Sequence, residues 1–181
     1  MPPSRAVPEH IRLILDAANT FDVEEQRDAW QTPAELAQWL RTRTNASATR
    51  EVTAREHASA VAFRDALRQL IAEGCGMDLD KASVDFDRDA APFAVRLGTR
   101  QGRPNLEAVD DGPLGGVAEI VAAVARAGAE GAWDRVKLCP GDACLVAFYD
   151  ESRNHSRTWC SMAVCGNRTK TRVYRTHHQP T

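Results

Sequence analysis

The chain has 181 residues, of which 43% are hydrophobic, and this composition argues against global disorder. No apolar run approaches the roughly 18 residues that a membrane helix needs, and the first residues lack the apolar core of a signal peptide. We therefore expect a cytoplasmic protein without a membrane segment, built as one ordinary domain plus a small module or as one large domain.

The net charge of −2 conceals an uneven distribution along the chain. Residues 1–136 carry 16 Lys and Arg against 22 Asp and Glu, whereas residues 137–181 carry seven Lys and Arg against three Asp and Glu. A basic C-terminal part joined to an acidic remainder predicts that only the C-terminal part meets a polyanion. Basic tails are also common on soluble proteins, so charge alone does not identify the partner.

Three amphipathic helices are predicted in the first half of the chain. The first opens at residues 8–10 and ends around Asn19 and Thr20, which are residue types that favour helix ends. The second and third begin with capping boxes at residues 32–35 and 53–56, and the third reaches about Glu73. Their apolar stripes predict a core, which we expect residues 1–128 to bury without help from the C-terminal part.

Three polar side chains in these helices have more than one interpretation. Asp16 and Asn19 are interpreted as caps or solvated positions, with a small polar site as the alternative. Cys75 follows the third helix without another cysteine nearby in the sequence. We interpret it as a buried or incidental thiol and not as a nucleophile.

The pattern is weak in residues 77–92, where residues 83–87 alternate as a strand does but also allow a short helix. Residues 93–97 and 105–109 then flank a turn, at residues 98–104, that is rich in glycine and arginine, so a β-hairpin is predicted. Arg100 and Arg103 are interpreted as solvated charges, with an anion site as the alternative. A last helix is predicted from Pro113 to Gly128.

Four of the five cysteines lie in two pairs of equal spacing near the C-terminus. Cys139 and Cys144 form the first pair, fifteen residues follow, and Cys160 and Cys165 form the second. Two such pairs can supply four thiolates to one tetrahedral zinc ion, in a closed site whose role is structural. Two disulfides, or four unrelated buried thiols, are the alternatives.

Short strands and one helix are predicted around these cysteines. Residues 137–139 and 144–149 are expected to form strands, and residues 156–159 a returning strand. A helix is predicted from Ser161 to about His177. On α-helical geometry, one arc of this helix faces the metal, and it consists of Met162, Cys165, Thr169 and Val173.

A second stripe of the same helix is basic. Arg168, Arg172 and Arg175 recur at intervals of four and three residues, and Lys170 lies beyond them. Such a stripe is typical of phosphate or major-groove contact. The alternative is that Arg168, Arg157 or Lys137 offsets the negative charge of a zinc–thiolate cluster. The predicted nucleic-acid contacts are Arg153, Arg157, Arg168, Lys170, Arg172 and Arg175.

The run from residue 150 to residue 170, with Trp159-Cys160 and Cys165-Gly166-Asn167-Arg168, resembles the CGNR zinc-finger family. Residues 15–20 and 32–40 resemble the opening motifs of the ABATE domain that members of this family carry. The resemblance implies a four-cysteine zinc site and a role as a bacterial, stress-linked, DNA-binding transcription regulator. Thr158 departs from the family pattern, because a basic residue is frequent there, and this removes one phosphate contact.

These observations predict an α+β protein with two parts. Residues 1–130 are expected to form a mainly helical, ABATE-like domain with a small β-hairpin, and residues 131–181 a β-hairpin/helix zinc finger. The favoured function is transcription regulation, in which the basic helix contacts DNA and the N-terminal domain senses a signal or forms a homodimer. The alternative is a zinc-stabilised module that binds protein or RNA. We do not expect an enzyme, because a closed zinc site offers no open coordination position and no catalytic constellation is evident.

Overall fold

The computed structural model describes residues 7–46, 50–77, 79, 85–110, 112–141 and 144–177, and the side chains of residues 173 and 175–177 lie outside this description. Within these ranges the fold is α+β, as predicted, with three two-stranded antiparallel sheets. The helices are α1 (Glu9–Ala18), α2 (Pro33–Arg43), α3 (Ala54–Gly74), α4 (Phe86–Ala90), α5 (Gly115–Ala129) and α6 (Asn167–His177). The paired strands are β1 (Phe21–Asp22) with β2 (Arg27–Asp28), β3 (Val95–Arg100) with β4 (Arg103–Ala108), and β5 (Val136–Leu138) with β6 (Ala147–Tyr149).

The predicted helix starts are confirmed where the sequence carries caps. The hydroxyl of Thr32 accepts the N–H of Glu35 at the start of α2, and Thr53 with Glu56 forms a complete capping box at the start of α3. These bonds satisfy backbone donors that have no partner inside the helix. Helix α5 begins two residues later than predicted, at Gly115, and ends at Ala129 instead of Gly128.

Residues 77–92 contain a short helix, which was one of the two alternatives. The alternative was a strand at residues 83–87, of which residues 83 and 84 lie outside the described part of the chain. Asp85 accepts the N–H of Arg88 and so caps α4, which makes the strand interpretation wrong for the residues that follow. The ring of Phe86 packs against that of Phe63, with 5.8 Å between centroids, and this contact holds α4 on α3.

The predicted hairpin is confirmed, with a shorter turn than the glycine-rich pattern indicated. Only Gln101 and Gly102 connect β3 to β4, with φ angles of 53° and 73°. A two-residue turn with positive φ at both positions matches the right-handed twist of the flanking strands. Most of the predicted turn at residues 98–104 therefore lies in the two strands.

One hydrophobic core runs through the N-terminal helices and the hairpin β5–β6. Val136, Leu138 and Ala147 of this hairpin are buried in the same cluster as the apolar faces of α1, α3 and α5. The helix residues of that cluster include Ile11, Ile14, Phe63, Leu67, Val117 and Ile120. The expectation that residues 1–128 bury a core alone is therefore incomplete, because the hairpin completes it. The domain boundary between residues 130 and 131 stays a prediction.

The junction between the two parts is also held by polar contacts. The side-chain amide of Asn19 accepts the N–H of Ala147 at 2.7 Å and donates to the carbonyl of the same residue at 2.9 Å, as a neighbouring strand would do. Asn19 also stands at the C-cap of α1, so the predicted cap is only part of its role. Asp16 pairs instead with Arg43 of α2.

A buried arginine on α3 joins the same junction. The guanidinium of Arg68 donates to the carbonyls of Ala18 at 2.5 Å and Leu145 at 3.0 Å. The thiol sulfur of Cys75 accepts the N–H of Leu138 at 3.4 Å. Leu138 precedes one predicted metal ligand and Leu145 follows another, so α3 and the residue after it seat the first cysteine pair.

Candidate metal centre and nucleic-acid interface

The four paired cysteines converge on one point. Their Sγ atoms all lie within 4.8 Å of one another, and no disulfide joins the cysteines of the described chain. The Sγ atom of Cys160 is 3.5 Å from that of Cys144 and 3.7 Å from that of Cys165. Four sulfurs at about 2.3 Å from a tetrahedral zinc would be about 3.8 Å apart. The donor set therefore fits one zinc ion, and the alternatives of two disulfides or four unrelated thiols are wrong.

The two members of the first cysteine pair follow β5, and a hydrogen bond draws them together. The N–H of Cys144 donates to the carbonyl of Gly141 at 2.8 Å, which turns the second sulfur back toward that of Cys139. A Cβ atom at Gly141 would lie 3.2 Å from Cβ of Cys144 and 3.7 Å from Sγ of Cys139. Glycine suits this position because the loop leaves little room for a side chain.

The second cysteine pair is set by a π-helical turn at Met162–Gly166. The carbonyl of Ser161 accepts the N–H groups of both Cys165, at 2.9 Å, and Gly166, at 3.2 Å. This wider turn changes the helical phase from the α-helical geometry assumed for the sequence. Met162 is accordingly 53% exposed, and its placement on the metal-facing arc is wrong, whereas Cys165 of that arc is buried.

The thiols of the cluster differ in how strongly they hold their protons. Burial would raise the pKa of Cys139, but hydrogen bonds from the backbone amides of Cys160 and Gly141 outweigh burial and lower it. Burial raises the pKa of Cys144 to about 11 and also raises the pKa of Cys160. Cys144 and Cys160 therefore hold their protons more tightly than an ordinary thiol does, and zinc has to displace those protons when it binds.

A buried carboxylate holds the loop between the two cysteine pairs. Asp150 is fully buried and accepts hydrogen bonds from Lys137 Nζ at 2.6 Å and from the N–H groups of Ser152 and Arg157 at 2.9 and 3.0 Å. Burial alone would raise the pKa of Asp150, but these donors outweigh it and lower the pKa to about 2. Lys137 also donates to the carbonyls of His155 and Arg157, so no strand forms at residues 156–159, contrary to the sequence-based prediction.

The side chain of Arg157 contacts strand β6 and the segment that leads into the second cysteine pair. Its guanidinium stacks over the ring of Phe148, with 4.9 Å to the ring centroid. It also donates to the carbonyls of Trp159, at 2.9 Å, and Cys160. These contacts place the guanidinium of Arg157 beside a metal ligand, which favours the alternative that Arg157 offsets the negative charge of the zinc–thiolate cluster.

Comparison with known families agrees with the geometry of both parts. Residues 12–134 match the ABATE family, described as "putative stress-induced transcription regulator", and residues 135–178 match the CGNR zinc finger. The chain belongs to the ABATE family. No curated protein matches the chain at a significant level. The four clustered cysteines are thus the zinc site of a CGNR finger that follows an ABATE domain.

The predicted nucleic-acid contacts of the CGNR finger differ in their exposure and in their partners. Arg153, Lys170 and Arg172 are exposed. Arg168 is exposed as well, but its guanidinium pairs at 2.9 Å with the carboxylate of Glu24 in the ABATE domain. The side chain of Arg175 lies outside the described part of the structure. Binding of nucleic acid by these residues, and by Arg157, stays a prediction.

Sequence reasoning missed the residues that join the ABATE domain to the CGNR finger. Asn19 and Arg68 bond to Ala147 and Leu145, which lie 128 and 77 residues away in the sequence. Asn19 lies within the stretch that resembles the ABATE family, which was the one available signal for it. Among the described residues, no helix has both the length and the apolar character that crossing a membrane requires.

Proposed function

We propose that this protein is a zinc-dependent transcription regulator whose helix α6 contacts DNA. The proposal rests on the positive charge and the exposure of α6. Its eleven residues include four Lys and Arg and no Asp or Glu, and the described side chains of Arg168, Lys170 and Arg172 are exposed. Guanidinium and ammonium groups along one exposed helix match the phosphates and groove edges of a duplex.

In this proposal the zinc ion has a structural role. Bound by Cys139, Cys144, Cys160 and Cys165, zinc would cross-link the hairpin β5–β6 to the turn that leads into α6. Four protein ligands complete a tetrahedral shell and leave no position for a substrate, so we propose a binding protein without catalytic activity. Because one small module makes few phosphate contacts, we also propose that a homodimer binds the duplex.

Arg168 is a less suitable position for a test of DNA binding, because it forms an ion pair with Glu24. A phosphate that binds Arg168 has to replace the carboxylate of Glu24, which is 2.9 Å from Nη1. Arg172 and Arg175 lie one and two turns farther along the helix and away from the cysteines. Substitution of these two residues is expected to change DNA binding without disturbing the metal site, so they are the best positions for a test.

The second candidate function, a protein-interaction module, is favoured by an apolar surface beside the metal. Met162 and Val164 are exposed, and an open surface pocket of about 380 Å³ is lined by Ser156, Arg157, Thr158, Trp159 and Met162. Exposed apolar side chains next to a pocket are typical of surfaces that bind protein. The basic character of α6 places this candidate second.

The two candidates differ in the response of duplex binding to the double substitution Arg172→Ala/Arg175→Ala. If α6 binds phosphates, affinity for a random-sequence duplex falls and the slope of log K against log salt decreases in magnitude by about two. Fluorescence anisotropy at several salt concentrations measures both quantities. Zinc content stays at one ion per chain in this variant.

A charge-matched control is Arg41→Ala/Arg55→Ala, which removes two exposed arginines from the N-terminal helices. This control retains the affinity and the salt slope of the wild-type protein if the effect is specific to α6. Unaltered duplex binding in the zinc-replete Arg172→Ala/Arg175→Ala variant would favour the protein-interaction module instead.

A further inference from the structure

The hairpin β3–β4 carries a polar face that the proposed function does not use. Directly opposed residues of an antiparallel pair share a face, and alternate residues along each strand share it too. The pairing therefore places on one face Arg96, Gly98, Arg100, Arg103, Asn105 and Glu107. The other face packs against the core only at the base of the hairpin, through Val95 and Ala108, whereas Leu97 of that face is 75% exposed. The polar face is turned away from the core.

Two arginines stand opposite each other at the tip of this hairpin. Arg100 and Arg103 are register partners on either side of the two-residue turn, and both are exposed. Like charges in directly opposed positions destabilise a strand pair. Among the described residues, neither arginine has an ion pair or a side-chain hydrogen bond. The tip is therefore a concentrated positive charge without an internal counter-ion.

The acidic residue of the polar face pairs with Arg96 and not with the two arginines at the tip. The carboxylate of Glu107 lies 3.8 Å from the guanidinium of its register partner Arg96. It also lies across Gly98, where a Cβ atom would be only 2.5 Å from Cδ of Glu107. Glycine at this position gives the carboxylate its space beside Arg96. The charges of Arg100 and Arg103 remain uncompensated.

We propose that Arg100 and Arg103 form a second nucleic-acid contact, in which their guanidinium groups bind phosphates of the duplex that α6 binds. This inference rests on the proposed function. A guanidinium presents paired donors that match phosphate oxygens, and a two-stranded ribbon fits the major groove. Leu97 is an exposed apolar side chain of this hairpin, but it lies on the opposite face. The polar face itself has no aromatic or apolar anchor of the kind that protein interfaces use, which favours a polyanion over a folded protein there.

The charge of the surrounding domain supports a local contact. Strands β3 and β4 carry three arginines and one glutamate, within a region of residues 1–136 whose acids outnumber its bases by 22 to 16. A region with this net negative charge repels a duplex overall, so a contact with DNA needs a local cluster of positive charge such as the tip. The hairpin would thus fix the orientation of the ABATE domain on the bound duplex.

The test is the double substitution Arg100→Thr/Arg103→Thr in the full-length, zinc-loaded protein. Threonine keeps a high strand propensity and removes the repulsion, so the melting temperature stays equal or rises. We expect affinity for a random-sequence duplex at 50 mM salt to fall about tenfold and the salt slope to decrease by about two. The Arg41→Ala/Arg55→Ala protein serves again as the charge-matched control.

Amide chemical shifts locate the contact independently. On titration with a short duplex, the N–H signal of Gly102 at the tip shifts in the wild-type protein, whereas that of Gly131, after α5, stays in place. Unaltered affinity and slope in the hairpin variant would overturn the inference, while weakened binding by the Arg172→Ala/Arg175→Ala variant would leave the proposed function standing. Weakening by the hairpin variant alone would keep the hairpin tip as a phosphate contact, but it would overturn the inference that the tip and α6 bind the same duplex. Equal weakening by the control variant, or no duplex binding by the wild-type protein, would overturn the inference.

Discussion

The ABATE domain and the CGNR finger are stabilised in different ways. The ABATE domain buries a large apolar cluster drawn from α1, α2, α3 and α5. The finger has a small cluster of its own, in which Cys139, Phe148 and Cys165 are the buried members. So few apolar side chains cannot offset the entropy of ordering about forty residues. In the finger, zinc and the buried carboxylate of Asp150 supply the stabilisation that apolar burial supplies in the ABATE domain.

The hairpin β5–β6 belongs to both regions because its residues alternate between two faces. Leu138 and Ala147 are register partners on the face that completes the ABATE core. Lys137 and Phe148 are partners on the other face, where they contact Asp150 and Arg157. One short hairpin therefore carries the large core on one side and the metal loop on the other. The two regions are distinct in chemistry and continuous in structure.

The largest expected effect comes from removing a metal ligand. Cys160→Ser lowers zinc binding, and structural zinc sites contribute on the order of 10 kcal/mol to folding. Amide hydrogen exchange in residues 150–177 rises to the rate of unfolded chain, whereas α1, α3 and α5 keep slow exchange. Cys75→Ser is the matched control, because Cys75 is outside the cluster and a serine oxygen can still accept the N–H of Leu138, so this protein retains one zinc. A Cys160→Ser protein with full zinc occupancy and unchanged exchange would contradict this distinction.

A smaller effect is expected where the two regions meet. Leu138 is 1% exposed, so Leu138→Ala leaves a cavity in the shared core and lowers the free energy of unfolding by about 2–5 kcal/mol. Circular dichroism and zinc release on heating should report one common transition at a lower temperature. Val164→Ala, at an exposed position of the finger, changes stability by less than about 0.5 kcal/mol. A Leu138→Ala protein whose helices melt as in the wild type would show that the core is not shared.

The polar stabilisation of the finger depends on pH through Asp150. The pKa of this carboxyl falls from an ordinary value of 3.8 to about 2 on folding, so its contribution of about 2 kcal/mol is complete above about pH 4. The contribution is lost as the pH falls toward 2. We expect Asp150→Asn to be less stable than the wild type in urea at pH 7 and pH 5, and the difference to narrow below pH 4. If the difference in stability between Asp150→Asn and the wild type already disappears above pH 5, another titrating group is responsible for the pH dependence.

The smallest effect concerns the contact between the acidic β1–β2 turn and α6. Glu24→Gln releases Arg168, and because exposed ion pairs contribute about 1 kcal/mol or less, duplex affinity should rise by no more than about fivefold. Glu25→Gln removes the same charge from the next residue and gives a smaller rise. Equal affinities of the two variants would indicate a general charge effect without a role for the pair between Arg168 and Glu24.

Sequence reasoning succeeded where the signal is local. The capping boxes placed the starts of α2 and α3, and the spacing of the cysteines placed all four sulfurs of the metal centre. It failed where distant residues decide the outcome. The strand expected at residues 156–159 is absent because Lys137, some twenty residues earlier, holds that segment by its carbonyls. The exposure of Met162 follows from a π-helical turn that a uniform α-helical period does not predict.

The most direct test of the central claim, that zinc organises the surface that binds nucleic acid, is a cycle of metal removal and return. Anisotropy of a labelled random-sequence duplex is measured with the zinc-loaded protein, after chelation, and after addition of one equivalent of zinc. We expect chelation to abolish duplex binding, zinc to restore both affinity and salt slope, and the amide signals of α1, α3 and α5 to persist throughout. Duplex binding that is unchanged in the metal-free protein would contradict it.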